Sequence, residues 1–177
     1  MPPADLGAHT VRPADVERWL ADLGIEALER ADREGVTSWD LVLDGRRRFD
    51  LRITVILDPE LALICWAHFA PPINDMFRKS YRRLLRWNDE FPFAKFSLAE
   101  DERPVLAVEV PIALVDGDEL GTALVRIVAI GDQLFDESRD WLWLGGRMPD
   151  QSDRHTRNPE LLDRFAPRLP ELLGARP

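Results

Sequence analysis

Five basic residues crowd one short stretch of this chain: Arg78, Lys79, Arg82, Arg83 and Arg86. Spacings of three and four bring most of them onto one side of a helix. The chain as a whole has a net charge of -9, so a local cationic face stands out. Its chemistry is anion recognition: an acidic segment of a partner, the same segment of a second subunit, or phosphate. The plainer reading is a solvated face paired with Asp75, Asp89 and Glu90, which contributes little energy. Asp132, Asp136 and Asp140 recur every four residues. Three such carboxylates hold a hard cation only if loops add more oxygens; otherwise they form a wet face beside Arg139. The histidines, His9, His68 and His155, are scattered. His68 follows Trp66 on one strand face and reads as a structural or interface group rather than a base. No phosphate-binding glycine loop, nucleophile elbow, H-E-x-x-H or Cys/His metal spacing occurs, so no catalytic residue, metal site or cofactor is expected. Of the six tryptophans, Trp87, Trp141 and Trp143 are the candidates for an apolar partner-binding surface. A C-terminal segment folding back over Trp141 and Trp143 is the equal alternative.

Composition narrows the function classes. The acidic balance argues against general nucleic-acid binding, which needs positive faces. The single cysteine, Cys65, rules out an intramolecular disulfide; in the run LALICWAHF it reads as a buried small hydrophobe. That fits a reducing cytoplasm. The segment MPPADLGAHTV lacks the pattern of a secretory signal, and no run approaches the roughly 18 apolar residues of a membrane span. The expectation is a cytoplasmic protein that does not enter the membrane.

The elements that must position these residues follow from periodicity. Residues 1–12 read as an arm. A helix starts near Pro13, with Val16, Trp19, Leu20 and Leu23 on one stripe; Gly24 interrupts or ends it, and Ile25, Leu28 and Ala31 are placed on a continuation after a bend. Three strands are expected next: Trp39 to Leu43, Phe49 to Leu57 with one wet face, and Leu61 to Phe69, apolar on both faces and so central. Arg46, Arg47 and Arg48 fall in the turn between the first two, where charge keeps a hairpin tip wet. A second helix, capped by Asn74 or Asp75, runs to about Glu90 with Ile73, Phe77, Tyr81, Leu84 and Asn88 on its stripe. Residues 92–112 alternate as two strands around the acidic turn Glu100 to Arg103. A last long helix begins at Asp116 and carries Leu120, Leu124, Ile127, Val128, Leu134 and Phe135. Residues 144–177 read as a Pro-rich tail whose leucines could dock on the domain. The fold class is α+β, an antiparallel sheet with helices in the order α-β-β-β-α-β-β-α.

That order resembles the type III secretion chaperone fold. LLRWNDEFPFAKFSLAEDERPVLAVEVPI followed by DELGTALVRIVAIGDQLFDE is similar to the YbjN family, bacterial proteins regarded as sensory-transduction regulators or secretion-chaperone-like proteins, over residues 13–143. The resemblance implies a non-enzymatic protein-binding module acting as a homodimer. Its two-fold would lie near the second helix and the following strand, with Phe77, Tyr81, Leu84 and Phe93 at the interface. A small-molecule sensor, with its ligand between sheet and helices near Trp66 and His68, is the alternative.

Overall fold

The computed structural model describes residues 10–72, 78–142 and 154–173. Six strands form one sheet: β1 (Glu29–Arg33), β2 (Val36–Leu43), β3 (Leu51–Asp58), β4 (Ala62–His68), β5 (Lys95–Leu98) and β6 (Pro104–Pro111). Every pairing is antiparallel and the spatial order is β1-β2-β3-β4-β6-β5. The helices are α1 (Pro13–Asp22), α2 (Arg78–Glu90), α3 (Gly117–Leu142), α4 (Pro159–Phe165) and α5 (Leu169–Leu172). The α+β antiparallel architecture is as expected, and β4 is indeed central.

One strand is new. The first helix does not continue past Gly24. Gly24 adopts φ +69, its N–H donates to the Ala21 carbonyl, and the Ile25 N–H donates to that of Leu20. This is a Schellman termination, which needs a left-handed residue after the helix. The chain then extends into β1 and returns through Glu34-Gly35, both at positive φ, as in a tight hairpin. Leu28 and Ala31 are therefore not on a helix. The sequence ERADR has no apolar alternation because β1 is a charged edge strand held by its backbone.

The sheet has two unlike faces. Ile53 and Val55 of β3, Leu63 and Cys65 of β4, and Leu106, Val108 and Val110 of β6 point into the core, over which α3 packs. Asp116 opens α3: its carboxylate accepts from the backbone N–H groups of Asp118 and Glu119 at 2.9 and 2.8 Å. On α2 the buried stripe is Ser80, Leu84 and Trp87, continued by Phe91 just past its end. The expected stripe was rotated, because a 3.6-residue period lets Leu84 belong to both phases. Trp87 packs against Phe69 and Phe96 with ring centroids 5.9 and 5.2 Å apart. Asn88 is not part of an apolar stripe. Its amide accepts from the Phe96 N–H at 2.6 Å and donates to the Phe96 carbonyl at 3.2 Å, so it acts as a strand partner for β5.

The loop between β2 and β3 is organised by carboxylates. Asp132 of α3 accepts the backbone N–H groups of Arg46, Arg47 and Arg48 at 2.6, 3.0 and 2.8 Å. It is therefore more than a wet residue, and the side chains of Asp136 and Asp140, which follow it at four-residue spacing, lie outside the described residues. Arg48 is not at a wet tip; it is buried, with its guanidinium 5.1 Å from the Phe69 ring centroid. Burial lowers its pKa to about 10, opposed by Asp132, so it stays cationic at neutral pH. Asp44 is buried as well, and its carboxylate accepts from the Asp50 N–H and from the backbone N–H and Nε of Arg157. Thr156 donates to the Asp44 carbonyl, and the Asp44 N–H donates to Asn158. Arg154 and Arg157 both reach Asp50. These bonds join residues 154–158 to the loop, and Leu161, Leu162, Phe165 and Leu172 then bury beside α3 and α1.

Two outcomes follow for stability. Asp132→Ala strips three backbone donors of their acceptor and should cost about 1–3 kcal/mol in urea unfolding. Gly45→Ala should also destabilise, since a Cβ there would lie 2.1 Å from Asp132 Oδ1; in the double variant the clash is gone, so the two losses should fall short of additive. The carboxylate of Asp50 is held below its ordinary range by the Arg154 hydrogen bond first and by the Arg154 and Arg157 charges. A lowered carboxylate stabilises fully above the unfolded value of about 4 and loses that contribution as pH falls through the folded value. The hydrogen-exchange protection of α4, corrected for the intrinsic rate at each pH, should accordingly fall below about pH 4 before that of β3 and β4 does.

Candidate functional site

Three surfaces carry side chains that the core does not use. The first is the outer face of α2. Arg82, Arg83 and Arg86 are exposed there, with Leu85 beside them at 69% exposure. Arg82 and Arg86 have no ion pair among the described residues. The side chains of Arg78 and Lys79 lie outside the described residues, as do Phe77 and the expected cap at Asn74 or Asp75. Trp87 does not belong to this surface. It is 1% exposed and fills the core under α2, so the expectation that it faces a partner is corrected. Leu84 is buried in the same place, and Tyr81 is half-buried, with its hydroxyl donating to Glu102 at 3.3 Å. Leu84 is thus a core residue within one subunit rather than a side chain free to meet a second. Trp141 and Trp143 lie outside the described residues as far as their side chains are concerned.

The second surface is a groove of about 440 Å³ between β6 and α3, walled by Phe93, Pro111, Leu114 and Arg126. Phe93 is 80% exposed and sits at φ +60, a strained value for a residue with a side chain. Leu114 is exposed as well. Arg126 is half-buried with its guanidinium 5.3 Å from the Phe93 ring centroid, and its Nε has no partner among the described residues. Burial lowers its pKa, with Glu119 and Glu171 opposing. A lone arginine inside the apolar run LVRIVAIG was a legible sign of this groove. Leu114 gave no such sign, since its exposure depends on the 3-10 turn at Ile112–Leu114.

The third surface is the sheet face turned away from α3. Trp66 and His68 of β4 project there, not between sheet and helices, because they alternate with the core residues Cys65 and Ala67. Their rings lie 4.9 Å apart, tilted by 57°. With Leu28, Asp40, Arg52, Thr54 and Arg103 they surround a hollow of about 290 Å³. The Trp66 Nε1 and the His68 Nδ1 are buried without a hydrogen-bond partner among the described residues. Each such group costs about 1–3 kcal/mol. Burial, then the Arg103 charge, lowers the His68 pKa, with Asp101 opposing, so the ring is neutral at neutral pH. Cys65, on the opposite face, is fully buried with its thiol pushed up to about 12, which makes it unreactive. The described residues contain no His/Cys/Asp/Glu group able to hold a metal and no helix long and apolar enough to cross a membrane.

Residues 12–140 match the YbjN family, whose description is "Putative bacterial sensory transduction regulator". The chain belongs to the YbjN family. Among solved structures it is similar to the Yersinia pestis type III secretion chaperone SycH, crystallised in complex with a stable fragment of YscM2. The identity is 19%, over 68% of this chain and 97% of that one, with a TM-score of 0.49. No curated protein matches the sequence.

The three surfaces differ from the core in what mutation should reveal. Trp87→Ala should cost about 3–5 kcal/mol, as expected for a large aromatic lost from a packed interior. Trp66→Phe should change stability by less than about 1 kcal/mol, because the buried donor without an acceptor disappears with the indole. Parallel urea titrations of the two variants compare them.

Proposed function

We propose that this YbjN protein is a non-catalytic, cytoplasmic regulatory module that works by binding other proteins, and that it does so as a homodimer. The single observation that carries the reading is Phe93: an aromatic ring 80% exposed on a strained backbone beside the groove of Leu114 and Arg126. Strain of this kind costs about 1–3 kcal/mol and persists where function uses the conformation. A two-fold pairing would let each Phe93 fill the groove of the other subunit, since a two-fold interface presents the same patch from both sides. The family's description as a regulator supports a binding role. The cationic face of α2, with Arg82, Arg83 and Arg86, lies on a separate surface and suits an acidic segment of the regulated partner.

Native mass spectrometry of the full chain tests the dimer. The expected result is a dimer for the unmodified protein and a folded monomer for Phe93→Glu. A monomer at micromolar concentration before any substitution would overturn the homodimer. The double variant R82E/R83E should remain dimeric and bind a captured acidic partner at least about tenfold more weakly, the loss expected for two opposed charges. Equal binding would remove α2 from the mechanism.

A further inference from the structure

The hollow on the open face of the sheet is unlike the dimer groove and the α2 face, and it plays no part in the function just proposed. Four features converge on it. Trp66 lines it, and its indole N–H, which can only donate, is buried beside it without a partner among the described residues. His68 contributes Nδ1, which has no partner among the described residues. Arg52 projects from β3 with no ion pair among the described residues. Arg103 lines the hollow too, held by Asp101 at 2.6 Å in a pair whose side chains are both at least 40% exposed. One anionic group lines it, Asp40, whose carboxylate already accepts from the Thr54 hydroxyl at 2.6 Å. The lining therefore carries two guanidiniums against one carboxylate. Leu28, 65% exposed, and the Trp66 ring add apolar surface.

We propose that this hollow binds a small organic acid with a flat apolar body. The carboxylate meets Arg52 and Arg103, and a tilt of the two rings brings the Trp66 Nε1 and His68, in the tautomer protonated at Nδ1, out to donate to it. The body lies against Leu28 and the indole. Arg103 turns from Asp101 to the ligand, an exchange that an exposed pair permits at little cost. The volume of about 290 Å³ is that of a site for a small molecule rather than a peptide. Planar guanidiniums are the side chains best fitted to carboxylate. Neither Arg52 nor Trp66 is a core residue, so substitutions there leave the fold in place.

The test is a titration of the full-length protein with benzoate, read by the indole N–H resonance of Trp66 in nitrogen-15 NMR and assigned by its loss in Trp66→Phe. Benzamide serves as the neutral probe of equal shape and inorganic phosphate as the anion without a body. The expected result is a saturable shift with benzoate, weaker binding of phosphate and none of benzamide. Arg52→Ala should weaken benzoate roughly tenfold, as for one lost charge-assisted contact. An unmoved Trp66 resonance up to about 10 mM benzoate, a concentration that would detect even feeble binding, would overturn the proposal. Equal shifts with benzamide would overturn it as well, because charge recognition would then be absent. Phosphate binding at least as tightly as benzoate would refute the apolar part. None of these results depends on whether the protein is a dimer.

Discussion

Helix α3 is apolar on more than one side, and a helix of that kind has to be covered from more than one direction. Leu120, Leu124, Val125, Ile127, Val128, Ile130 and Leu134 are all buried, which no single sheet face could achieve. The sheet covers one side through β4 and β6, and α1, α4 and α5 cover much of the rest. The close approach is literal at Gly121, where a Cβ would lie 2.4 Å from the Phe165 ring. The C-terminal helices are thus part of the core. The carboxylates of Asp44 and Asp50 tie the segment leading into them to the β2–β3 loop, and Asp132 of α3 holds that loop from the other side. Sheet, long helix and C-terminal segment are locked by the same few residues.

Covering α3 consumes one face of the sheet and leaves the other open. This asymmetry distributes the remaining chemistry. Side chains that alternate with the core on β3 and β4 collect on the open face, where Arg52, Trp66 and His68 meet. Two of the apolar groups that neither face absorbs, Phe93 and Leu114, gather at the junction of β6 and α3. The basic residues of α2 occupy a third side.

Much of this was legible in the chain. The alternation in β3 and β6, the two-sided apolar run of β4, the helix starts at Pro13 and Asp116, and the acidic turn after β5 each rest on local physics, and each is present. Phe93, which the resemblance puts at a dimer interface, is exposed in the single chain. Three readings failed for physical reasons. The strand β1 was hidden because an edge strand of charged residues has no hydrophobic period. The period leaves the phase of α2 open because Leu84 fits two stripes, and packing settles it with Trp87 in the core. The type of side chain puts Arg48 in solvent, whereas the Phe69 ring and the Asp132 carboxylate hold it inside.

The sequence by itself determined the class of the fold and the absence of recognisable catalytic motifs, because periodicity, caps and motif spacing act over a few residues. The tertiary structure alone decided which polar groups matter. Asp132 reads three amides that lie more than 80 residues away, Asp44 binds Arg157 across more than 110, and Arg52, Trp66 and Arg103 meet only once three strands and a turn are assembled. Contacts between distant residues leave no local period, so they become visible only when the backbone has closed.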